Sequence, residues 1–243
     1  RGYVTDQVGL IVPTSICSGQ IARKIADDLN AKAFATGRNV SRFVALVHTE
    51  GCGASGGENE LHYTRTMVGH LLHPFVKEAL LLAHGCEKPH NDAMRQVMKE
   101  RGVDQARFGW ASVQLDGGID KVVDKVEKWF AEKLPAAPPA GRREVGLEAL
   151  SLGLLSVREL AEPVARALAR LAAGVVHAGG TVVIPENASL LKSADFLEEL
   201  TWEGAPKPSL DYGQTADQAG LHIMAAPTDH VVQTLTRLGV TGV

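Results

Sequence analysis

The chain has 243 residues, 45% of them hydrophobic and 22% charged, which is ordinary globular composition with enough apolar residues for a sizeable core. The formal net charge of -3 and the isoelectric point near 6.3 leave no basic stripe, so nucleic-acid binding is not expected. No apolar run approaches the ~20 residues that span a bilayer and no leader peptide opens the chain, so we expect a cytoplasmic protein without membrane contact.

Short apolar runs alternate with longer stretches of helical period along the first half of the chain. The runs are VGLIVPT, RFVALVH, EALLLAH and RFGWASV. The helical stretches that follow them, in the same order, are GQIARKIADDLNA, NELHYTRTMVGHLLH, HNDAMRQVMKERG and IDKVVDKVEKWFAEK. Runs that are apolar on both faces and are joined through helices predict a parallel sheet covered on both sides.

The segment LPAAPPAGRR, residues 134–143, interrupts this alternation with three prolines and a glycine, which favours a linker or long loop at about 135–144. Beyond it come EVGLEAL, a helix from about Arg158 to His177, TVVIPE, GLHIMAAP and a short helix after Asp229. We therefore predict an α/β, doubly wound, mostly parallel, Rossmann-like sheet of about seven strands with helices on both faces. Residues 1–134 and 145–243 would be two halves of one sheet. Two lobes facing each other across a cleft are the alternative.

Each of the three cysteines follows a predicted strand. Cys17 comes after VGLIVPTSI, Cys52 lies in HTEGCG after RFVALV, and Cys86 follows EALLLA. Parallel strands end at one edge of a sheet, where ligands bind, so we expect the thiols to share a site there. Core packing is the alternative for any one cysteine taken alone. Three cysteines are too few for a disulfide scaffold, so reduced thiols are expected.

Three separated thiols suit a metal centre with an open coordination position, and the chain has no CxxC pair of the kind that builds closed zinc sites. An iron–sulfur cluster, or a single metal completed by His and Glu, would polarise a hydroxyl and help it leave. The side chains beside the cysteines that can serve as further ligands, or as base and acid, are His48, Glu50, Glu87 and His90. A cysteine nucleophile activated by a helix N-terminus and His48 is the alternative, but it uses only one thiol.

Further polar groups are expected at the same edge. Arg23 and Arg65, on helices that begin there, are candidates to bind a substrate carboxylate, with solvated arginines as the alternative. The glycine-rich GASGGENE stretch suits an anion on its backbone N–H groups, but it lacks the GxGxxG and GxxxxGK[ST] patterns of nucleotide sites. The segments PENAS and PTDH follow later strands and can add Glu186, Asn187, Asp229 or His230 to the rim.

Four motifs carry a resemblance to a known family. LIVPTSICSGQIARKIA, ALVHTEGCG, HYTRTMVGHLLHP and LLLAHGCEKPHND resemble, in order and approximate spacing, the motifs of the altronate and galactarate dehydratases. HAGGTVVIPENASLL and DYGQTADQAGLHIMAAPTDH resemble the family's later segments. The resemblance implies a Rossmann-like sheet and an iron-dependent removal of water from a hexaric or hexonic acid, which gives a 2-keto-3-deoxy product.

The resemblance also implies roles for residues at the matching positions. The implied site residues are Cys17, His48, Cys52, Cys86 and Glu87, with Thr64 and Arg65 as the matched TRT element and Glu186 as the later acid. Together with the neighbouring polar groups, this gives three predicted sets. The predicted metal ligands are Cys17, Cys52, Cys86 and His90; the predicted catalytic residues are His48, Glu50 and Glu87; the predicted substrate-binding residues are Ser18, Thr64, Arg65, Asn91 and Glu186.

The chain also departs from the family pattern. GYVTDQVG stands where members have a Gly-x-Arg-Asn element, and LEALSLGLLSVRELAEP stands where they have a Cys-Gly-Gly-Ser-Asp segment. We predict a metal-dependent carbon–oxygen lyase for a sugar acid or related hydroxy acid, with Fe²⁺, an iron–sulfur cluster or another divalent metal as cofactor. The alternatives are a sulfo-lyase acting on a hydroxy-sulfonate and a non-catalytic member that binds a sugar acid or partner subunit. A homodimer or an accessory subunit, and a place within a longer protein, are also expected.

Overall fold

The computed structural model describes residues 3–50, 57–138, 141–211 and 214–226. The chain divides into two compact units. The first unit is Thr5–Gly141, and the second unit is Arg142–Val243 together with Arg1–Val4. In the described parts of both units, no helix has the length and apolar character needed to cross a membrane.

Strands and helices alternate in the first unit. Its strands are β1 (Val8–Pro13), β2 (Arg42–Ala45), β3 (Val76–Ala83) and β4 (Gly109–Ser112). Its helices are α1 (Ile16–Ala31), α2 (Gly57–Leu71), α3 (Asn91–Glu100) and α4 (Ile119–Lys133). The four strands form one parallel sheet in the order β2-β1-β3-β4, so their carboxyl ends lie at one edge.

The central strands of this sheet are buried on both faces. Ile11 of β1 and Leu82 of β3 belong to the core that contains the buried residues of α1 and α4. Leu10, Val12 and Leu81 belong to a second core, which contains the buried residues of α2 and α3. Because successive side chains of a strand point to opposite faces, burial of both sets requires helices on both sides of the sheet.

Helix α4 shows how the local pattern produces the element. Val122, Val126 and Phe130 are fully buried, and their spacing of four residues places them on one face of the helix. Gly118 occupies the N-cap with a φ of +104°, a conformation that other residues rarely adopt. The glycine therefore sets the sharp entry into the helix, and the apolar stripe fixes the helix against the sheet.

The second unit repeats the strand–helix alternation on a smaller scale. It contains β5 (Ser151–Gly153), α5 (Glu162–His177), β6 (Thr181–Pro185), α6 (Ala194–Glu199) and β7 (Gly220–Met224). The strands form a parallel sheet in the order β5-β6-β7. Arg166 joins the two helices through Asp195, at 3.0 Å, and Glu199, at 3.3 Å.

The predicted α/β class with parallel strands is confirmed, but the prediction of one continuous sheet is wrong. The seven strands of the described residues form two sheets, of four and three strands. An apolar run shows that a strand is buried on both faces but not which strand lies beside it, so the same alternation fits one sheet or two. Residues 134–138 and 141–146 contain no helix or strand, and the short helix expected after Asp229 falls outside the described residues.

Candidate functional site

Most of the predicted site residues lie at one edge of the four-stranded sheet. The loops that follow β1, β2 and β3 meet there, at the carboxyl ends of the strands. The predicted residues in these loops and in the helical turns that follow them are Cys17, Ser18, His48, Glu50, Cys86, Glu87, His90 and Asn91. Cys52 lies outside the described residues.

Glu87 is the most enclosed of the ionisable side chains in this set, since only 2% of its surface is exposed. Its Oε1 accepts hydrogen bonds from the hydroxyl of Thr14, at 2.5 Å, and from the backbone N–H of His84, at 2.7 Å. The hydroxyl of Ser15 donates to the same oxygen at 3.4 Å, and the N–H of Gly85 donates to Oε2 at 2.6 Å. The carboxylate therefore joins the loop after β1 to the loop after β3.

These donors decide the protonation state of Glu87. Burial alone would raise the pKa of the carboxyl, because an apolar surrounding disfavours the charged form. The hydrogen bonds from Thr14 and from the backbone N–H groups of Glu87, Gly85 and His84 stabilise the carboxylate and lower its pKa below the ordinary value. Glu87 is thus an ionised acceptor with its oxygens already occupied.

We expect the stability of the first unit to depend on pH through Glu87. Above the ordinary pKa of about 4.3 the carboxylate is charged in both states, and its hydrogen bonds contribute in full. As the pH falls below this value the unfolded chain takes up the proton first, and the contribution is lost as the pH passes through the lower pKa of the folded protein. Urea unfolding between pH 7 and pH 3 measures this loss, which should be absent from Glu87→Gln.

Gly85 allows the backbone to reach this carboxylate. Its φ is +121°, and a Cβ atom would lie 2.9 Å from Oε1 of Gln114 and 3.2 Å from Oγ of Ser112. A side chain at this position is therefore strained both by the backbone conformation and by its neighbours. The glycine is needed for the turn that points its N–H at Glu87.

His48 lies on the other side of the loop after β1. Its Nε2 is 2.9 Å from the carbonyl oxygen of Pro13, and its Nδ1 is 3.2 Å from the backbone nitrogen of Glu50. A carbonyl only accepts and an amide N–H only donates, so the network assigns the neutral tautomer with its proton on Nε2. The imidazole is thereby oriented, with the lone pair of Nδ1 turned toward the loop after β2.

Tyr63 of α2 packs between these groups. Its ring meets the His48 ring edge to face, with centroids 5.3 Å apart, and its hydroxyl donates to the carbonyl oxygen of Thr14 at 3.0 Å. Burial, followed by the negative charges of Glu87 and Glu50, raises the pKa of the phenol. Tyr63 therefore stays protonated and serves as a fixed hydrogen-bond donor.

The three loops form one connected network. The N–H of Ile16 donates to the carbonyl oxygen of Glu50 at 2.7 Å, which links the loops after β1 and β2 through their backbones. His48 makes a second link between the same loops, and Glu87 links the first of them to the loop after β3. We call this set, residues 13–16, 48–50 and 84–87 with Tyr63, the loop network.

The thiols that the structure describes lie at the rim of the loop network. Cys17 and Cys86 are both exposed, and Sγ of Cys86 is 3.4 Å from Nδ1 of His84. His90 is the N-cap of α3 and accepts the N–H of Asp92 on its Nδ1 at 3.1 Å. Among the described residues, no three His, Cys, Asp or Glu side chains form a group that could hold a metal ion.

The predicted substrate-binding residues are more dispersed. Ser18 is fully buried and forms a capping box with Ser15 at the start of α1, while Oγ1 of Thr64 donates to the carbonyl oxygen of Glu60 at 2.9 Å. Arg65 lies on α2 and is half-buried. Glu186 belongs to the second unit, where its carboxylate accepts the N–H of Ala226 at 2.7 Å. The structure thus ties Ser18 and Thr64 into local helix contacts.

Asn91 differs from these residues because it combines a structural bond with an unused acceptor. Its Nδ2 donates to the carbonyl oxygen of Ala111 at 2.8 Å and so holds the start of α3 against the end of β4. Its Oδ1 is buried and has no hydrogen-bond partner among the described residues. Buried polar atoms normally have a hydrogen-bond partner, so this oxygen is an acceptor for which the described residues supply no donor.

Sequence reasoning did not identify Thr14, Ser15 and Tyr63 as parts of the site. The sequence does carry a signal for Tyr63: it lies four residues before Met67, a spacing that predicts one shared helix face. The structure buries both side chains. Thr14 and Ser15 precede a helix, where hydroxyl residues are ordinarily read as caps. Their contact with Glu87 joins residues more than seventy positions apart, so no local pattern indicates it.

Comparison with known protein families identifies a match over the first part of the chain. The family model described as D-galactarate dehydratase/altronate hydrolase, second domain, matches residues 7–138 of this chain. This stretch is more than half of the chain and covers nearly all of the first unit. A comparison with curated proteins gave no match.

Proposed function

This chain belongs to the D-galactarate dehydratase/altronate hydrolase family, and from that membership we propose that it is a hydro-lyase that removes water from a sugar acid. The observation that carries the proposal is the position of His48. An oriented, neutral imidazole stands at the carboxyl edge of the parallel sheet, where open α/β sheets bind their ligands. Neutral imidazole is the form that accepts a proton near pH 7.

In the proposed reaction Nδ1 of His48 takes the proton on the carbon next to the substrate carboxylate, in place of the N–H of Glu50 that it accepts at 3.2 Å in the structure. The electron pair of that C–H bond forms a carbon–carbon double bond, and the hydroxyl on the next carbon leaves. The proton held by His48 returns to the departing hydroxyl, so one water is released and the enol product becomes a 2-keto-3-deoxy acid. The Pro13 carbonyl, which accepts from Nε2, orients the ring and stabilises the imidazolium formed in between.

Glu87 and Tyr63 serve in this proposal as positioning residues. Both oxygens of Glu87 already accept hydrogen bonds, and its lowered pKa makes it a weak base. Tyr63 donates to the Thr14 carbonyl and packs against the His48 ring. These two side chains fix the turn that carries Pro13, the residue to which His48 is bonded. Glu50, which is exposed, is the alternative base.

We further propose that iron is held by Cys17, Cys52 and Cys86, with His90 as a further ligand. The support is the placement of Cys17 and Cys86, as exposed thiols, at the edge where His48 lies. Because the described residues alone form no group of three ligands, such a centre requires a ligand from outside them, and Cys52 is the predicted one. Iron bound there would supply Lewis-acid polarisation of the leaving hydroxyl.

A second function, binding of a sugar acid without catalysis, is favoured by one observation. The chain has GYVTDQVG and LEALSLGLLSVRELAEP in place of the Gly-x-Arg-Asn element and the Cys-Gly-Gly-Ser-Asp segment of the family pattern. A protein of this kind would keep the loop network and bind the acid but would contain no iron. The metal content of the purified protein therefore separates the two functions.

The test is to purify the full chain without oxygen, measure iron and labile sulfide, and incubate it with D-galactarate or D-altronate. We expect iron in near-stoichiometric amount and formation of a 2-keto-3-deoxy acid. Cys52→Ser should lose the iron and the activity together, because three-ligand sites rarely tolerate loss of a thiolate. Iron-free protein that binds D-galactarate without converting it would instead establish the second function, and protein that does neither would refute both.

A further inference from the structure

A cavity of about 270 Å³ lies beside the loop network, between the carboxyl ends of β3 and β4. Its walls include Gly85, His90 and Asn91 from the loop after β3 and the start of α3. Trp110 and Ser112 of β4 form the opposite wall. Gly85 also donates its N–H to Glu87, so the cavity adjoins the proposed reaction site.

Two buried polar atoms of residues that line this cavity have no hydrogen-bond partner in the part of the chain that the structure describes. They are Oδ1 of Asn91 and Oγ of Ser112, and Ser112 is 94% buried. An unsatisfied buried polar atom costs free energy, and a ligand that supplies the missing hydrogen bond recovers it. Asn91 Oδ1 can only accept, whereas the Ser112 hydroxyl can both donate and accept.

The charges around the cavity exclude a simple anion site. Arg95 pairs with Asp92 at 2.7 Å, and Lys125 pairs with Asp116 at 2.8 Å, so each cation already has its carboxylate. A carboxylate or phosphate would also be repelled by the oxygen of Asn91. The walls therefore match a neutral group that donates one hydrogen bond and accepts another.

We propose that this cavity binds the hydroxylated carbon chain of a polyhydroxy acid, with an uncharged hydroxyl between Asn91 and Ser112. A hydroxyl donates to Oδ1 of Asn91 and accepts from the hydroxyl of Ser112. The apolar parts of Trp110 and Leu115 line the same cavity and suit the C–H groups of such a chain. That the chain belongs to the substrate rests on the proposed function, whereas recognition of a polyol by the cavity does not.

The test compares three six-carbon ligands by titration calorimetry with the full chain. D-Galactarate has both hydroxyls and carboxylates, galactitol has hydroxyls alone, and adipate has carboxylates alone. We expect Ser112→Ala to weaken D-galactarate and galactitol about five- to ten-fold, the value of one hydrogen bond, and to leave adipate unchanged. Because Ser112 Oγ has no hydrogen-bond partner within residues 3–50, 57–138, 141–211 and 214–226, the variant should keep the melting temperature of the parent chain.

Ser156→Ala is the matched control. This buried serine accepts the N–H of Leu190 at 2.8 Å and the hydroxyl of Ser189 at 2.9 Å, so its loss should lower stability without changing the affinity for either polyol. If Ser112→Ala binds D-galactarate as the parent does, or if the parent binds neither polyol, the cavity assignment is overturned. Weakened galactitol binding in a chain that forms no keto acid would uphold the cavity and refute the dehydratase.

Discussion

Glu87→Gln is expected to lower the free energy of unfolding of the first unit by about 2–3 kcal/mol. The change keeps the size of the side chain but removes its charge and one of its acceptor oxygens. An amide NH₂ group would then face either the Gly85 N–H or the Thr14 hydroxyl, both of which donate to the carboxylate. A donor left against another donor inside a buried site loses its bond and is not solvated.

Urea unfolding of Trp202→Phe protein isolates this effect, because Trp110 and Trp129 of the first unit then provide all the tryptophan fluorescence. Glu100→Gln is the matched control. Glu100 is an exposed residue at the end of α3, and its carboxylate accepts from Gln96 of the same helix. Exposed substitutions of this kind change stability by no more than about 0.5 kcal/mol.

If Glu87→Gln changed the free energy of unfolding as little as Glu100→Gln does, the Glu87 carboxylate would not be required to hold the loops together. Glu87 would then be available for chemistry, and the assignment of the base to His48 would lose its main reason. If Glu87→Gln instead lost a large part of the free energy of unfolding at pH 7 and less of it toward pH 3, Glu87 would be an ionised acceptor with a lowered pKa.

The sequence predicts the elements of the first unit well because each one has a complete local signal. The run VGLIVPT corresponds to β1 at Val8–Pro13, and the predicted helix at 119–133 matches α4 residue for residue. α6 was not predicted, and the run EVGLEAL, residues 144–150, ends just before β5, which begins at Ser151. β5 has three residues and α6 has six, so neither is long enough to show a full apolar period.

Proline chemistry explains a smaller difference in the second unit. The helix expected from about Arg158 begins at Glu162, with Pro163 in its first turn. Proline fits the first turn because the N–H groups there have no partner within the helix. Val157 and Leu160, three residues apart, precede the proline and extend the helical spacing of apolar residues without extending the helix.

For the site, the sequence predicts at which edge of the sheet the residues lie but not which hydrogen bonds they form. Parallel strands end at one edge, so the residues that follow the runs had to lie there, as His48, Cys86 and Glu87 do. Whether a carboxylate is a base or a fixed acceptor depends on the donors around it. The hydroxyl donors to Glu87, from Thr14 and Ser15, lie more than seventy positions away, so its own sequence neighbourhood reveals only the N–H groups of His84 and Gly85.

His48→Gln is expected to lower kcat for dehydration about 10²- to 10⁴-fold, the range associated with loss of a general base. The terminal amide of glutamine reaches about as far as Nε2 of histidine and can keep the donation to the Pro13 carbonyl. It has no nitrogen that accepts a proton near pH 7. The variant therefore removes the proton acceptor and retains the link between the loops.

Three measurements on this variant separate catalysis from folding: kcat, KM and the urea midpoint. His70→Gln is the control, since His70 is also half-buried and also contacts a backbone carbonyl, that of Thr66, at 2.8 Å from its Nδ1. We expect His70→Gln to leave kcat unchanged and His48→Gln to lose kcat with its urea midpoint preserved. An active His48→Gln would show that His48 is not the base, and the role would pass to Glu50. Among the side chains of the loop network, only Glu50 is an exposed carboxylate. Glu50→Gln would then have to abolish turnover.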